Sequence, residues 1–190
     1  MKIEELPLQG AYILTPQRFG DERGFFSETY NKAAFDEVVP DIEFVQDNHS
    51  MSRDVGVLRG LHFQLPPDGQ GKLVRVPRGR VLDVIVDLRV GSPTYGDHAA
   101  VELSGENWSQ LWVPVGFAHG FCTLEPNTEF CYKVTSLYAP QSDSGIAFND
   151  ADLGIKWPLP ENELILSDKD KAQQNFKDFK SPFKYEKGIS

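Results

Sequence analysis

Along most of the chain, apolar and β-branched residues recur in short runs with a period of two, the pattern of strands that bury one face. The clearest run starts at Lys72. There Lys72, Val74 and Val76 share a face, and from Val81 to Leu88 the residues Leu82, Val84, Val86 and Leu88 share another, with Asp83 and Asp87 on the reverse side. Between them, Pro77-Arg78-Gly79-Arg80 reads as the turn of a hairpin. Further strands are expected from His98 to Leu103, Trp108 to Val113, Phe117 to Leu124 and Thr128 to Leu137, separated by turns at residues 104–107, 114–116 and 125–127. This spacing predicts an all-β antiparallel barrel or sandwich. Upstream, Ala11 to Leu14, Phe25 to Tyr30 and Phe44 to Ser50 read as strands, and Asn31 can cap a short helix to about Val39, stopped by Pro40. A helical period returns only near the C-terminus, where Ser167 caps a predicted helix from Asp168 to about Phe179. With no internal repeat or linker, residues 1–190 are expected to form a single domain.

One strand breaks its own pattern. Val57-Leu58-Arg59-Gly60-Leu61-His62-Phe63-Gln64 carries an arginine and a histidine around a glycine, and strict alternation separates Arg59 from His62. A bulge at Gly60 would turn both toward one cavity. Lys72 raises a related question, because a lysine on an apolar strand face is costly unless paired or used. The alternative is a strand-end lysine reaching for water.

Composition narrows the function. The 28 acidic and 19 basic residues give a formal charge of −9, which argues against nucleic acid, and no stretch is long and apolar enough to span a membrane. A soluble, cytoplasmic protein is expected. The two cysteines, Cys122 and Cys131, read as buried thiols.

Pro114-x-Gly116-x-x-His119 is similar to the second motif of the cupin superfamily, whose metal-binding members carry a His-x-His in the first motif. Here His62 has Gln64 where the second histidine would stand, so no metal and no cofactor are expected. The fold implied is a cupin-type jelly-roll (double-stranded β-helix) barrel with short peripheral helices. Its acid–base chemistry would then rest on His62, Lys72, His119, Tyr132 and the acidic pair Asp168 and Asp170. Each has a plainer reading: Tyr132 as a core aromatic, the two aspartates as helix N-terminal carboxylates, and Asp83 as a partner of His119 or simply a buried hydrogen-bonded group.

Seven segments in order resemble the dTDP-4-dehydrorhamnose 3,5-epimerase family. They are Arg23-Gly24-x-Phe26-x-Glu28, Gln46-Asp47-Asn48-x-Ser50, residues 57–64, Gly71-Lys72, Asp83-Val84-x-Val86-Asp87-Leu88-Arg89, Pro114-x-Gly116-Phe117-Ala118-His119-Gly120-Phe121 and Ser167-Asp168-Lys169-Asp170. The resemblance implies cofactor-free epimerisation of dTDP-4-dehydro-6-deoxyglucose at C3 and C5, within dTDP-rhamnose biosynthesis. It makes His62 the base, Asp170 its carboxylate partner, Lys72 the group facing the enolate oxygen and Tyr132 the opposing acid. For binding it implies Arg23 and Arg59 at the diphosphate, Glu28, Gln46, Asp47 and Asn48 at polar groups, and His119 at the substrate. Tyr138 would stack on thymine, with Asp143 and Lys169 as further contacts. The family also implies a homodimer formed by strand exchange. Remaining alternatives are a single-site 5- or 3-epimerase acting on the same nucleotide sugar, a metal-dependent cupin, and a non-catalytic sugar-nucleotide binding module.

Overall fold

The computed structural model of the chain describes residues 1–186. In chain order the strands are β1 (Lys2–Glu5), β2 (Tyr12–Thr15), β3 (Phe19–Asp21), β4 (Gly24–Phe26), β5 (Gln46–Ser52), β6 (Leu58–Gln64), β7 (Lys72–Arg78), β8 (Arg80–Asp87), β9 (His98–Ser104), β10 (Gln110–Val113), β11 (Phe117–Thr123), β12 (Thr128–Val134) and β13 (Asp143–Gly145). Two short α-helices, α1 (Lys32–Asp36) and α2 (Asp168–Lys171), lie at the periphery. The chain is thus an all-β jelly roll. One sheet has the order β1-β2-β10-β7-β12-β5 and the other β13-β6-β11-β8-β9, while β3 and β4 pair only with each other.

The hairpin expected at residues 77–80 does not exist. β7 and β8 belong to different sheets, and from β5 to β13 the chain changes sheet at every connection except that from β8 to β9. Period-two patterns report which face of a strand is buried but not which neighbour it pairs with, so the turn residues were compatible with either path. Gly79 makes the corner. Its φ of +81° suits glycine, and a Cβ there would collide with Thr128.

Three apolar clusters explain why both sheets are covered. Between the sheets lie Val74, Val76, Ile85, Leu111, Phe117, Phe121 and Phe130. On the outer face of the second sheet, Leu61, Phe63, Val84, Val86 and Ala118 meet Ile146, Leu153, Phe179 and Phe183 from the C-terminal region. Outside the first sheet, Leu14, Leu73 and Trp112 are covered by Phe35, Tyr30 and Phe44. β11 is therefore buried along its whole length. Such strands are expected to read as continuous apolar runs rather than alternating ones.

Both helices are shorter than expected. α1 keeps its cap, Asn31 Oδ1 accepting from Ala34 N at 3.3 Å, but ends at Asp36. After α2 the backbone turns to bonds with the jelly roll: the Gln174 carbonyl accepts from Ala147 N at 2.8 Å, and Phe176 N donates to Asp150 Oδ2 at 2.7 Å. Packing Phe179 and Phe183 on the second sheet overrides the local helical pattern. Cys122 and Cys131 are both free, on different sheets, and Cys131 is only half-buried.

Candidate active site

The inner face of the jelly roll is apolar at its centre and polar toward one end, where alternation places chemically active side chains instead of Val and Leu. A cavity of about 330 Å³ opens there, walled by Arg59 and His62 of β6, His119 of β11, Lys72 of β7, Tyr132 of β12 and Asp170 of α2. Its floor includes Phe121 and Phe130, stacked at 4.1 Å and 12°. A second cavity of about 230 Å³ adjoins it, sharing His62, Lys72, Tyr132 and Lys169 and adding Gln70, Tyr138 and Asp143.

The irregularity at Gly60 takes the form expected. β11 advances two residues, His119 to Phe121, while β6 advances three, His62 to Arg59, so one extra residue sits in β6 and Arg59 joins His62 at the cavity. Gly60 has φ +134°, and a Cβ would lie 2.5 Å from Gly120 Cα, so no other residue fits without displacing backbone. Its N–H donates to Asp170 Oδ1 at 3.2 Å.

Asp170 is brought to His62 from outside the sheet by α2. Its Oδ1 lies 2.7 Å from His62 Nε2, an approach that meets the ring N–H off its axis. Ser167 Oγ donates to Oδ2 at 2.5 Å. Burial pushes this carboxyl up, but the contacts from His62, Ser167 and Gly60 outweigh it and hold its pKa down at about 2. Asp168, the other candidate, is fully exposed.

His119 stands directly opposite His62 in the β6–β11 ladder. Its Nε2 lies 3.0 Å from both oxygens of Asp83, which is fully buried and whose pKa burial raises against the pull of His119. The reading of Asp83 as the partner of His119 is thus correct.

Lys72 does not reach for water. It is buried, its Nζ donates to Gln70 Oε1 at 2.8 Å, and desolvation drives its pKa down to about 8 against the attraction of Asp143. Tyr132 lies beside it, with Lys72 Nζ 6.0 Å from the ring centre, and burial raises the phenol's pKa.

The remaining candidates divide. Lys169 lines both cavities and is paired with Asp143, which also accepts from Tyr138 Oη at 3.2 Å. Asn48 is opposite Tyr132 in the β5–β12 ladder, and Gln46 accepts from Tyr138 N at 3.1 Å. Asp47 points to the other face of β5, where it pairs with Lys133 at 2.6 Å. Arg23 and Glu28 lie outside this chain's own cavity: Arg23 is exposed and paired with Asp21, and exposed Glu28 accepts from Asn31. The sequence reading missed Gln70 and the bond from Ser167 to Asp170. Ser167 was legible as a cap only, whereas Gln70 precedes the strand and is anchored by the carbonyl of Ser136, distant in sequence.

Gln64 spends its amide on two loops, donating to the Asp68 and Leu137 carbonyls and accepting from Ala139 N. Among the described residues no three His, Cys, Asp or Glu side chains converge as metal ligands. None of the helices described is long and apolar enough to cross a membrane.

Chemically, the cavity sets a histidine whose carboxylate partner has its pKa held down at about 2 on one side against a buried ammonium and a phenol on the other. A profile of the dTDP-4-dehydrorhamnose 3,5-epimerase family matches residues 5–178. A dTDP-4-dehydrorhamnose 3,5-epimerase from Sinorhizobium fredii is 47% identical over 187 residues, covering 98% of this chain and 95% of the relative. A dTDP-6-deoxy-D-glucose-3,5-epimerase from Legionella pneumophila, solved in complex with dTDP-4-keto-L-rhamnose, superposes with a TM-score of 0.92 at 44% identity, over 97% of this chain and 98% of that one. A 3′-monoepimerase from Streptomyces bikiniensis, solved in complex with dTDP-quinovose, superposes with a TM-score of 0.84 at 33% identity, over 90% and 85% of the two chains.

Proposed function

Since the chain belongs to the dTDP-4-dehydrorhamnose 3,5-epimerase family, we propose the following roles for its cavity residues in that reaction. The enzyme is an isomerase that converts dTDP-4-dehydro-6-deoxy-D-glucose to dTDP-4-dehydro-L-rhamnose in dTDP-L-rhamnose biosynthesis. The observation that carries the assignment is the placement of base and acid on opposing sheets. His62 comes from the second sheet and Tyr132 from the first, so a sugar ring between them meets a proton acceptor on one face and a donor on the other.

The C4 keto group acidifies the hydrogens on C3 and C5. His62, with one nitrogen turned to Asp170, takes such a hydrogen on the other. The C–H pair moves into a C=C bond, and the carbonyl pair moves onto oxygen. Asp170 stays ionised and stabilises the imidazolium that forms. Lys72 faces the developing enolate oxygen, a role worth roughly 100- to 1,000-fold for a well-aimed donor. Tyr132, held protonated by burial, returns a proton to the opposite face, and solvent exchange resets both groups.

Arg59 makes no ion pair among the described residues and is assigned to the diphosphate, where a guanidinium fork suits two oxygens. His119, Lys169, Asp143, Tyr138, Asn48 and Gln46 are assigned to the nucleotide sugar, with Tyr138, 57% exposed, as the stacking surface for thymine. Residues 1–190 act as one domain in this reading, and the free cysteines suit a cytoplasmic enzyme.

The functional unit proposed is a homodimer. Arg23 lies on the β3–β4 ribbon with Phe19, Phe25 and Phe26, which are 55%, 56% and 70% exposed, an apolar surface suited to a second copy. Arg23 and Glu28 would then serve the neighbouring subunit's cavity rather than their own, and Asp47 would act outside the cavity altogether.

Incubation of the chelator-treated enzyme with substrate in deuterated water, followed by NMR, tests the reaction. Deuterium is expected at both C3 and C5, with the rhamno-configured product. Exchange at one carbon alone would assign the single-site reaction instead, and none at either would leave only sugar-nucleotide binding.

A further inference from the structure

We propose that Gln70 is a positioning residue for Lys72, holding its ammonium group between His62 and Tyr132 without neutralising it. This deepens, and rests on, the reading of Lys72 as the group that faces the enolate. Gln70 Nε2 donates to the Ser136 carbonyl at 2.7 Å. A carbonyl can only accept, so the amide nitrogen is fixed there and Oε1 must face Lys72 Nζ, 2.8 Å away. The backbone on either side is equally fixed: Gly71 N donates to Thr135 Oγ1 at 2.9 Å, Thr135 N donates to the Gly71 carbonyl at 3.1 Å, and Lys72 pairs with Val134 in the ladder.

The choice of an amide has a chemical reason. A long lysine without a partner would sample many rotamers, and ordering it during the reaction would cost rate. A carboxylate would order it as well but would cancel the charge the enolate needs. A neutral acceptor orders the chain and leaves the full positive charge toward the cavity. Lys72 is faced by Arg59 and His62 from β6, His119 from β11, Tyr132 from β12, Asp143 from β13, and Lys169 and Asp170 from α2. No carboxylate among the described residues lies within ion-pair distance of it, because Asp143 is paired with Lys169 and Asp170 with His62. Burial without an ion-paired anion lowers the pKa of Lys72 to about 8, the attraction of Asp143 offsetting it only in part.

The test is a pH titration of 13Cε-labelled lysine in wild type, Gln70→Glu and Gln70→Ala, alongside kcat and KM across the same range. Gln70→Glu is expected to raise the Lys72 pKa by about 1 unit or more, to lower kcat at neutral pH and to shift the alkaline limb of kcat upward. Gln70→Ala is expected to lower kcat by about tenfold, a fraction of the value of a well-aimed donor, with KM little changed. An unchanged Lys72 titration in Gln70→Glu, or an unchanged kcat in Gln70→Ala, would overturn the proposal. Failure of the wild-type enzyme to turn over would instead overturn the epimerase reading, while the titration would still report whether Gln70 sets the state of Lys72.

Discussion

Two histidines face each other across one strand pair, each with an aspartate, and the electrostatics of the two pairs are opposite. At the open pair, Asp170 accepts from Ser167 Oγ and Gly60 N–H and lies 2.7 Å from His62 Nε2, and these contacts together hold its pKa down at about 2. At the closed pair, Asp83 is wholly buried and has His119 as its hydrogen-bond partner, so its charge depends on that one ring. Such a pair presents a fixed, hydrogen-bonded ring to the cavity. In the proposed reaction it is the open pair that passes protons to the ligand and recovers. A carboxylate beside a histidine therefore does not define a base; the number of other donors on the carboxylate decides what the histidine can do.

Removing the open imidazole breaks this contrast most severely. His62→Ala is expected to lower kcat on the order of 1,000-fold, in line with the loss of a general base, measured by product formation and by deuterium uptake at C3 and C5. Near-normal turnover would move the base elsewhere. Next in size is the closed pair, where the expected damage falls on stability. Asp83→Ala leaves His119 buried without its partner and should cost about 3 kcal/mol, read as a lower unfolding midpoint in urea. The smallest effect sharpens the comparison by pH. The Asp170 pKa of about 2 lies below its ordinary 3.8, so this carboxylate contributes stability above pH 4 that is lost as pH falls toward 2. The stability difference between wild type and Asp170→Asn should be about 2 kcal/mol near neutrality and shrink across that acid window. For Asp83 the sign is reversed, because burial raises its pKa: acid should not erode its contribution over the same range. Parallel pH dependence in the two variants would mean that the pairs are electrostatically alike.

The sequence was most informative where side-chain type and local spacing carry the structure. The faces of β7 and β8, the bulge at Gly60 and the Asn31 and Ser167 caps could all be read from residues within a few positions of one another, whereas the choice of Asp170 over Asp168 came from the family resemblance alone. Strand partnership could not be read in this way. Residues 72–88 look like a hairpin because both strands and the turn are well formed, yet the corner at Gly79 sends them to opposite sheets. The predicted helix to Phe179 failed for a related reason, since contacts with Ile146, Ala147 and Asp150 claim its backbone and side chains. In the site, the motifs contained His62, Lys72, His119 and Asp170 of the cavity but did not show that Arg23 and Glu28 lie outside it, that Asp47 points away from it, or that Gln70 bonds Lys72.

The alternation of the chain between sheets also has a kinetic meaning. His62 and Lys72 are ten residues apart in sequence and yet stand on opposite walls, so no local segment can assemble the cavity. Most strand pairings join distant parts of the chain, such as β12 with β5 and β11 with β6. Folds with so many non-local pairings gain little until several loops have closed, and they fold slowly for their size. Recovery of turnover after dilution from denaturant should therefore lag behind the first appearance of β-structure, because the catalytic groups meet only when the last strands dock.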